Sequence, residues 1–211
     1  MTNALKRITP EDTVLVLVDY VTGLDNLMNT IPARQYKNNI AAFIKLGDLF
    51  DLPTAIFGEE NEYYGKFLPE LEHAPSSGVN FHRTQISCYI PEFADWLAGT
   101  GRRSVLIGGI SIDNCVLHTV IDLLNAGYHV QVVADVSGTN NPLSEQVAMT
   151  RMRDAGAVMT NWLAASTELA VDFSGPYGEK LMGLISTHWP ASTVGEVEDT
   201  TPDGAGMQLP A

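Results

Sequence analysis

Cysteine is scarce in this chain: two residues in 211, Cys88 and Cys115. Two thiols cannot frame a disulfide scaffold, and they are expected as free thiols in a reducing, cytoplasmic setting. The N-terminus, Met1-Thr-Asn-Ala-Leu-Lys-Arg-Ile-Thr-Pro10, lacks the apolar stretch of a signal peptide. No apolar run approaches the ~20 residues that a bilayer span requires, so no membrane partner is expected. Cations are few as well, with 12 Lys and Arg against 25 Asp and Glu and a formal net charge of −13. That balance argues against nucleic acid or an anionic membrane surface as a partner.

The glycine motifs of nucleotide sites are missing too. After the first apolar run stands Asp19-Tyr-Val-Thr-Gly23 in place of G-x-G-x-x-G, Gly108-Gly109 has no third glycine, and no P-loop occurs. The five histidines, His73, His82, His118, His129 and His188, make no H-x-x-x-H or H-E-x-x-H pair, and no C-x-x-C is present. Neither a metal nor a cofactor is expected.

What is present is ample apolar sequence, 45% of residues, enough for one sizeable core in one domain. The most informative stretch runs from Ser104 to Gly127. Ser104–Ile107 reads as a buried parallel strand, Gly108-Gly109 as a sharp turn, and Cys115–Leu124 as a helix closed by Gly127. Thr13–Asp19 is the clearest strand, with further strands over Pro53–Phe57, Val79–His82, His129–Asp135 and Ala157–Thr160. Helices are expected over Pro32–Phe50, Pro91–Leu97, Ser144–Ala155 with Ser144 as its cap, and Ala164–Val171. Alternating strands and helices give a doubly wound α/β fold: three layers, α/β/α, around a six-stranded parallel sheet. The domain spans 1–190. From 191 to 211 the chain is an acidic, Pro- and Gly-containing tail without Lys or Arg.

Cys115 falls at the carboxyl end of a strand and in the first turn of a helix. Ligands of open α/β sheets bind at that end, and the partial positive charge of a helix N-terminus lowers a thiol's pKa. Asp19 ends the first strand and Arg83 follows the third. Together the three supply a nucleophile, a base and a fixed cation for acyl transfer. Each residue alone has a plainer account. A cysteine is commonly a small buried apolar residue, an aspartate at a strand end commonly caps a turn, and an arginine there is usually solvated. Cys115 and His118 are three apart on one helix, but His118 is expected on the helix flank, away from the chemistry. Tyr20, Phe57, His82, Tyr89 and the long polar loop from Gly58 to Gly78 are expected to shape the pocket.

At these residues the sequence resembles the isochorismatase-like cysteine hydrolase superfamily, and within it the YcaC-like group. The matching segments are Val16-Leu-Val-Asp19 with Thr22-Gly-Leu24, Gln85-Ile-Ser-Cys-Tyr89, Gly109-Ile-Ser-Ile-Asp-Asn-Cys115-Val116, Asp135-Val-Ser-Gly-Thr139 and Asp154-Ala-Gly156. The resemblance implies the fold already inferred, with Cys115 as nucleophile and Asp19 as general acid/base. It implies a non-proline cis peptide joining Ser111 and Ile112, and an oxyanion hole made by the N–H groups of Ile112 and Cys115. It further implies hydrolysis of an amide or related C–N bond of a small molecule through a Cys115 thioester. Homo-oligomers, with ring-type octamers among them, are the implied assembly.

The chain departs from the family at three places. Arg83 holds the position of the catalytic lysine. Val21 replaces a glutamine two residues after the catalytic aspartate. Gly58-Glu-Glu-Asn61 stands where the nicotinamidase branch carries its metal ligands, which argues against a nicotinamidase. Arg83 is expected to clamp Asp19 in a bidentate pair. The first two departures keep a second function open, that of a catalytically weak or silent binding or assembly protein of the same fold.

Overall fold

A computed structural model describes residues 6–189. The acidic segment expected over 191–211 lies outside the described residues. The centre of the molecule is β1 (Thr13–Val18), in which every residue is buried. Its uninterrupted apolar composition follows from having both faces covered. It pairs in parallel with β2 (Thr54–Phe57) on one side and β4 (Ser104–Gly109) on the other. With β3 (Val79–Phe81), β5 (His129–Val133) and β6 (Val158–Thr160) the sheet has six strands in the order β3-β2-β1-β4-β5-β6, all parallel. The order reverses direction between β1 and β4, so a crevice opens beyond their carboxyl ends.

Eight α-helices appear among the described residues: α1 (Thr22–Asp25), α2 (Ala33–Ile44), α3 (Leu46–Leu49), α4 (Pro91–Gly99), α5 (Leu117–Asn125), α6 (Pro142–Asp154), α7 (Trp162–Ala170) and α8 (Gly178–His188). Strand alternation divides the core between two layers. Val14, Val16 and Val18 pack with Phe93 of α4, Val120 of α5 and Met152 of α6. Leu15 and Leu17 face the opposite way, onto Phe43 of α2, Trp162 of α7 and Leu184 of α8.

Several boundaries differ from expectation. The helix expected over Pro32–Phe50 divides at Lys45 into α2 and α3. Ser144 is not the cap of α6. Asn141 is, its side chain accepting the N–H groups of Leu143 at 2.9 Å and Ser144 at 3.4 Å, with Pro142 at the first helical position. Asn161 caps α7 through Ala164 N–H at 2.7 Å, so that helix starts earlier than Ala164. The strand expected to reach Asp135 stops at Val133. Asp135 instead accepts the Trp162 N–H at 3.0 Å, fixing the start of α7, and burial pushes its carboxyl up to about 6. α8 was not expected. It buries Leu184 and Ile185 while Trp189, just past its end, stays half exposed.

Candidate active site

The sheet brings three of the expected residues to one place. Asp19 leaves β1 with a φ of 52°, a left-handed conformation that aspartate tolerates better than most residues. Its N–H donates to the Phe57 carbonyl at 2.9 Å and its carbonyl accepts from Val21 at 2.8 Å, so the backbone is locked on both sides. The end of β4 approaches closely. A Cβ at Gly109 would stand 2.2 Å from the Val18 carbonyl oxygen, so only glycine fits there.

Arg83, just past β3, meets Asp19 with two hydrogen bonds. Nη1 donates to Oδ1 at 2.9 Å and Nη2 to Oδ2 at 2.5 Å, with the side chains only 9% and 8% exposed. The expected bidentate pair is therefore present. The Arg83 Nε also donates to the Ile86 carbonyl at 3.3 Å, and the guanidinium carbon lies 5.9 Å from the Phe57 ring centroid. Burial works against the Arg83 charge, but the hydrogen bond to Asp19, the Asp19 charge and the two neighbouring thiols together outweigh it and hold the guanidinium protonated more firmly than usual.

Cys115 sits in a widened, π-helical turn, Ile112–Val116, that leads into α5. Its carbonyl accepts the Thr119 hydroxyl at 2.7 Å, and that hydroxyl accepts the Cys88 N–H at 2.8 Å. Thr119 thus links the two cysteine segments. The expectation of a lowered thiol pKa is overturned. Burial pushes the Cys115 thiol up to about 12, the Asp19 carboxylate adds to the rise, and Arg83 only partly opposes it. Loss of water around the sulfur is the largest cause. Cys88, wholly buried, is also pushed up to about 12 by burial.

Two backbone expectations need correction. The cis peptide joins Ile110 and Ser111, one bond before the expected Ser111–Ile112. Ile110 N–H is still tied to Val18 of β1 at 2.9 Å, while Ser111 already accepts from Asn114 and Val116 of the next turn. The change of direction therefore falls between Ile110 and Ser111. Ile112 is not a free oxyanion donor either, because its N–H donates to the Gly138 carbonyl at 3.1 Å. The Ser111 carbonyl takes the N–H groups on either side of Cys115 but not that of Cys115 itself.

Asp19, Arg83 and Cys115 line one cavity of about 400 Å³. Val21 and Leu24 close it from the segment after β1, and Glu59, Tyr63 and Tyr64 from the loop after β2. Gln85, Ile86 and Asn114 complete much of the remainder. The Gly58–Gly78 loop thus contributes as expected, but the four named pocket residues do not line this cavity. Tyr20 turns into the core and donates to the Val136 carbonyl at 3.0 Å. Phe57 is buried against Phe81 and Phe93. Tyr89 packs beside Phe93. His82 lines an adjoining cavity that shares Glu59 and Arg83. His118 is exposed on the flank of α5. The tyrosine pair at Tyr63 and Tyr64 had only loop polarity as a sequence signal. Among the described residues no three His, Cys, Asp or Glu side chains are grouped to hold a metal ion, and no helix is long and apolar enough to cross a membrane.

Residues 27–163 match the isochorismatase domain family. The probable hydrolase YcaC of Escherichia coli K12 is 31% identical over 193 residues, spanning 90% of this chain and 92% of the relative. The structure of YcaC from Pseudomonas aeruginosa with hexane-2,5-diol and covalent acrylamide aligns with a TM-score of 0.81 at 29% identity, covering 89% of this chain and 94% of that one. The E. coli YcaC structure, described as an octameric hydrolase of unknown specificity, aligns with a TM-score of 0.79 at 30% identity, covering 88% and 92%.

Proposed function

The chain belongs to the isochorismatase family of hydrolases, and on that premise we propose that it cleaves an amide or related C–N bond of a small molecule through a thioester on Cys115. The observation that carries this reading is the meeting of Asp19 and Cys115, from neighbouring strands β1 and β4, in one cavity. A thiol raised to about 12 is protonated at neutral pH, so attack has to be coupled to proton transfer. In the proposed sequence Asp19 takes the thiol proton as sulfur bonds to the carbonyl carbon. The Cys115 N–H, at the helix start, donates to the developing oxyanion. The C–N bond breaks as Asp19 returns the proton to the leaving nitrogen. Water then attacks the thioester, giving a proton to Asp19 that is passed back to sulfur as the C–S bond breaks and the acid departs. Arg83 holds Asp19 in place and balances its charge.

Acrylamide adds covalently to nucleophilic side chains, and its covalent presence in the P. aeruginosa relative agrees with a reactive residue in this group. We extend to this chain the self-association of the octameric E. coli relative. An exposed apolar groove lined by Phe173, Met182 and Trp189 supports a second copy of the chain as its cover. The bidentate clamp on Asp19 and the raised thiol favour a second reading, a slow or silent member of the family. A panel of small amides and activated esters, assayed with wild type and Cys115→Ala side by side, decides between them. Turnover lost in Cys115→Ala supports the hydrolase, whereas equal residual rates in both proteins would refute it.

A further inference from the structure

The charge of the cavity carries information about its ligand. Its lining holds one cation, Arg83, and that cation is fully engaged with Asp19. Asp19 and Arg83 cancel, and Glu59 remains. Among the described residues Glu59 has no ion pair, and the loop's Lys66 pairs with Glu60 at 2.8 Å. The adjoining cavity shares Glu59 and adds Glu92. An anionic substrate would therefore meet uncompensated negative charge and no available guanidinium or ammonium.

Two aromatic rings, the largely exposed Tyr63 and the half-buried Tyr64, line the same cavity as Glu59. Tyr63 and Tyr64 meet edge to face, with centroids 5.0 Å apart and planes at 84°. The backbone that carries them is held by hydrogen bonds. The Asn61 side chain accepts the N–H groups of Tyr63 at 2.9 Å and Tyr64 at 2.7 Å. The Tyr64 carbonyl accepts from Gly23 at 2.8 Å, and the Lys66 carbonyl accepts from Thr22 at 2.8 Å. A carboxylate that shares a cavity with two tyrosine rings is a receptor for an organic cation, through charge and cation–π attraction together. We infer that the substrate carries a cationic group, an alkylammonium or quaternary ammonium, seated at Glu59, Tyr63 and Tyr64 while its carbonyl faces Cys115. This inference rests on the cavity being the substrate site of the proposed hydrolase.

The test uses three anilides with the same acyl chain, ending in trimethylammonium, in its neutral tert-butyl isostere, or in carboxylate. Binding is measured by calorimetry on Cys115→Ala, and acylation on the wild type. The trimethylammonium anilide should bind about fivefold to tenfold more tightly than the tert-butyl isostere, as an exposed carboxylate and a cation–π contact together provide, with the carboxylate weakest. Glu59→Gln should bring the ratio to about one. Glu62→Gln, a carboxylate of the same loop outside the lining, should keep it. Equal binding of cation and isostere, an unchanged ratio in Glu59→Gln, or an equal loss in Glu62→Gln would each overturn the inference. If no anilide acylates the wild type, the thioester reading fails. The binding ratio and its dependence on Glu59 still decide the charge preference.

Discussion

Arg83 and Asp19 meet fork to fork, two guanidinium nitrogens on two carboxylate oxygens at 2.9 and 2.5 Å. A lysine there would offer one point charge and leave one carboxylate oxygen freer. The fork instead fixes the plane of the carboxylate and occupies both oxygens. Orientation is gained, and neither oxygen is left without a guanidinium partner.

Arg83→Lys should raise steady-state turnover several-fold while the acylation burst persists. Arg83→Ala leaves a buried carboxylate without its partner and should lower stability by about 3–5 kcal/mol. Burst kinetics and urea denaturation of the three proteins check this. An Arg83→Ala protein matching wild type in both would remove Arg83 from the site.

Thiol labelling should follow the raised pKa of Cys115. With that thiol pushed to about 12, its iodoacetamide rate should climb about tenfold per pH unit from 7 to 9 without a plateau. Cys115 lines the cavity and Cys88 is fully buried, so Cys115 should label first. Peptide mapping over time checks both points, and preferential labelling of Cys88 would contradict them.

Asp135 should make folding pH-dependent in an unusual direction. Its carboxyl is raised in the folded state to about 6 from an ordinary value of 3.8, so the folded protein binds its proton more tightly than the unfolded chain. Its contribution to stability is present below the unfolded value and is lost as pH rises to about 6, a difference of up to about 3 kcal/mol. Relative to wild type, Asp135→Asn should therefore gain stability between pH 4 and 6. Urea midpoints across that range test the sign, and a parallel pair of curves would refute it.

Self-association should depend on the apolar groove between α7 and α8. Light scattering should return a mass several times the 22.9 kDa of one chain. Trp189→Glu, at a half-exposed position, should shift the population toward smaller species with little change in secondary structure. A monomeric wild type at micromolar concentration would refute the proposed assembly.

The sheet and the placement of Asp19 and Cys115 were legible in the sequence, because each depends on local pattern. An apolar run ending in a carboxylate marks the exit from β1, and two glycines before a helical period mark the exit from β4. The Arg83 fork was legible from residue chemistry. The pocket walls were not. Tyr63 and Tyr64 are placed by hydrogen bonds to Gly23 and Asn61, and Tyr20 is turned away by the Val136 carbonyl. The Gly23 and Val136 bonds join residues distant in sequence and leave no periodic trace. The thiol pKa is not legible in the sequence for a related reason. A helix start can be read from sequence, whereas the exclusion of water around one sulfur atom depends on everything packed over it.

The bonds from Gly23 and Thr22 to the loop after β2 have a consequence for exchange between relatives. A Cβ at position 23 would stand 2.7 Å from the Tyr63 carbonyl and 2.9 Å from that of Tyr64. The two segments, some forty residues apart, therefore form one module. A graft of the tyrosine loop alone onto another scaffold would arrive without its anchor. Transplanting ligand preference would require moving Thr22-Gly23 and residues 58–67 together, as a single two-part cassette.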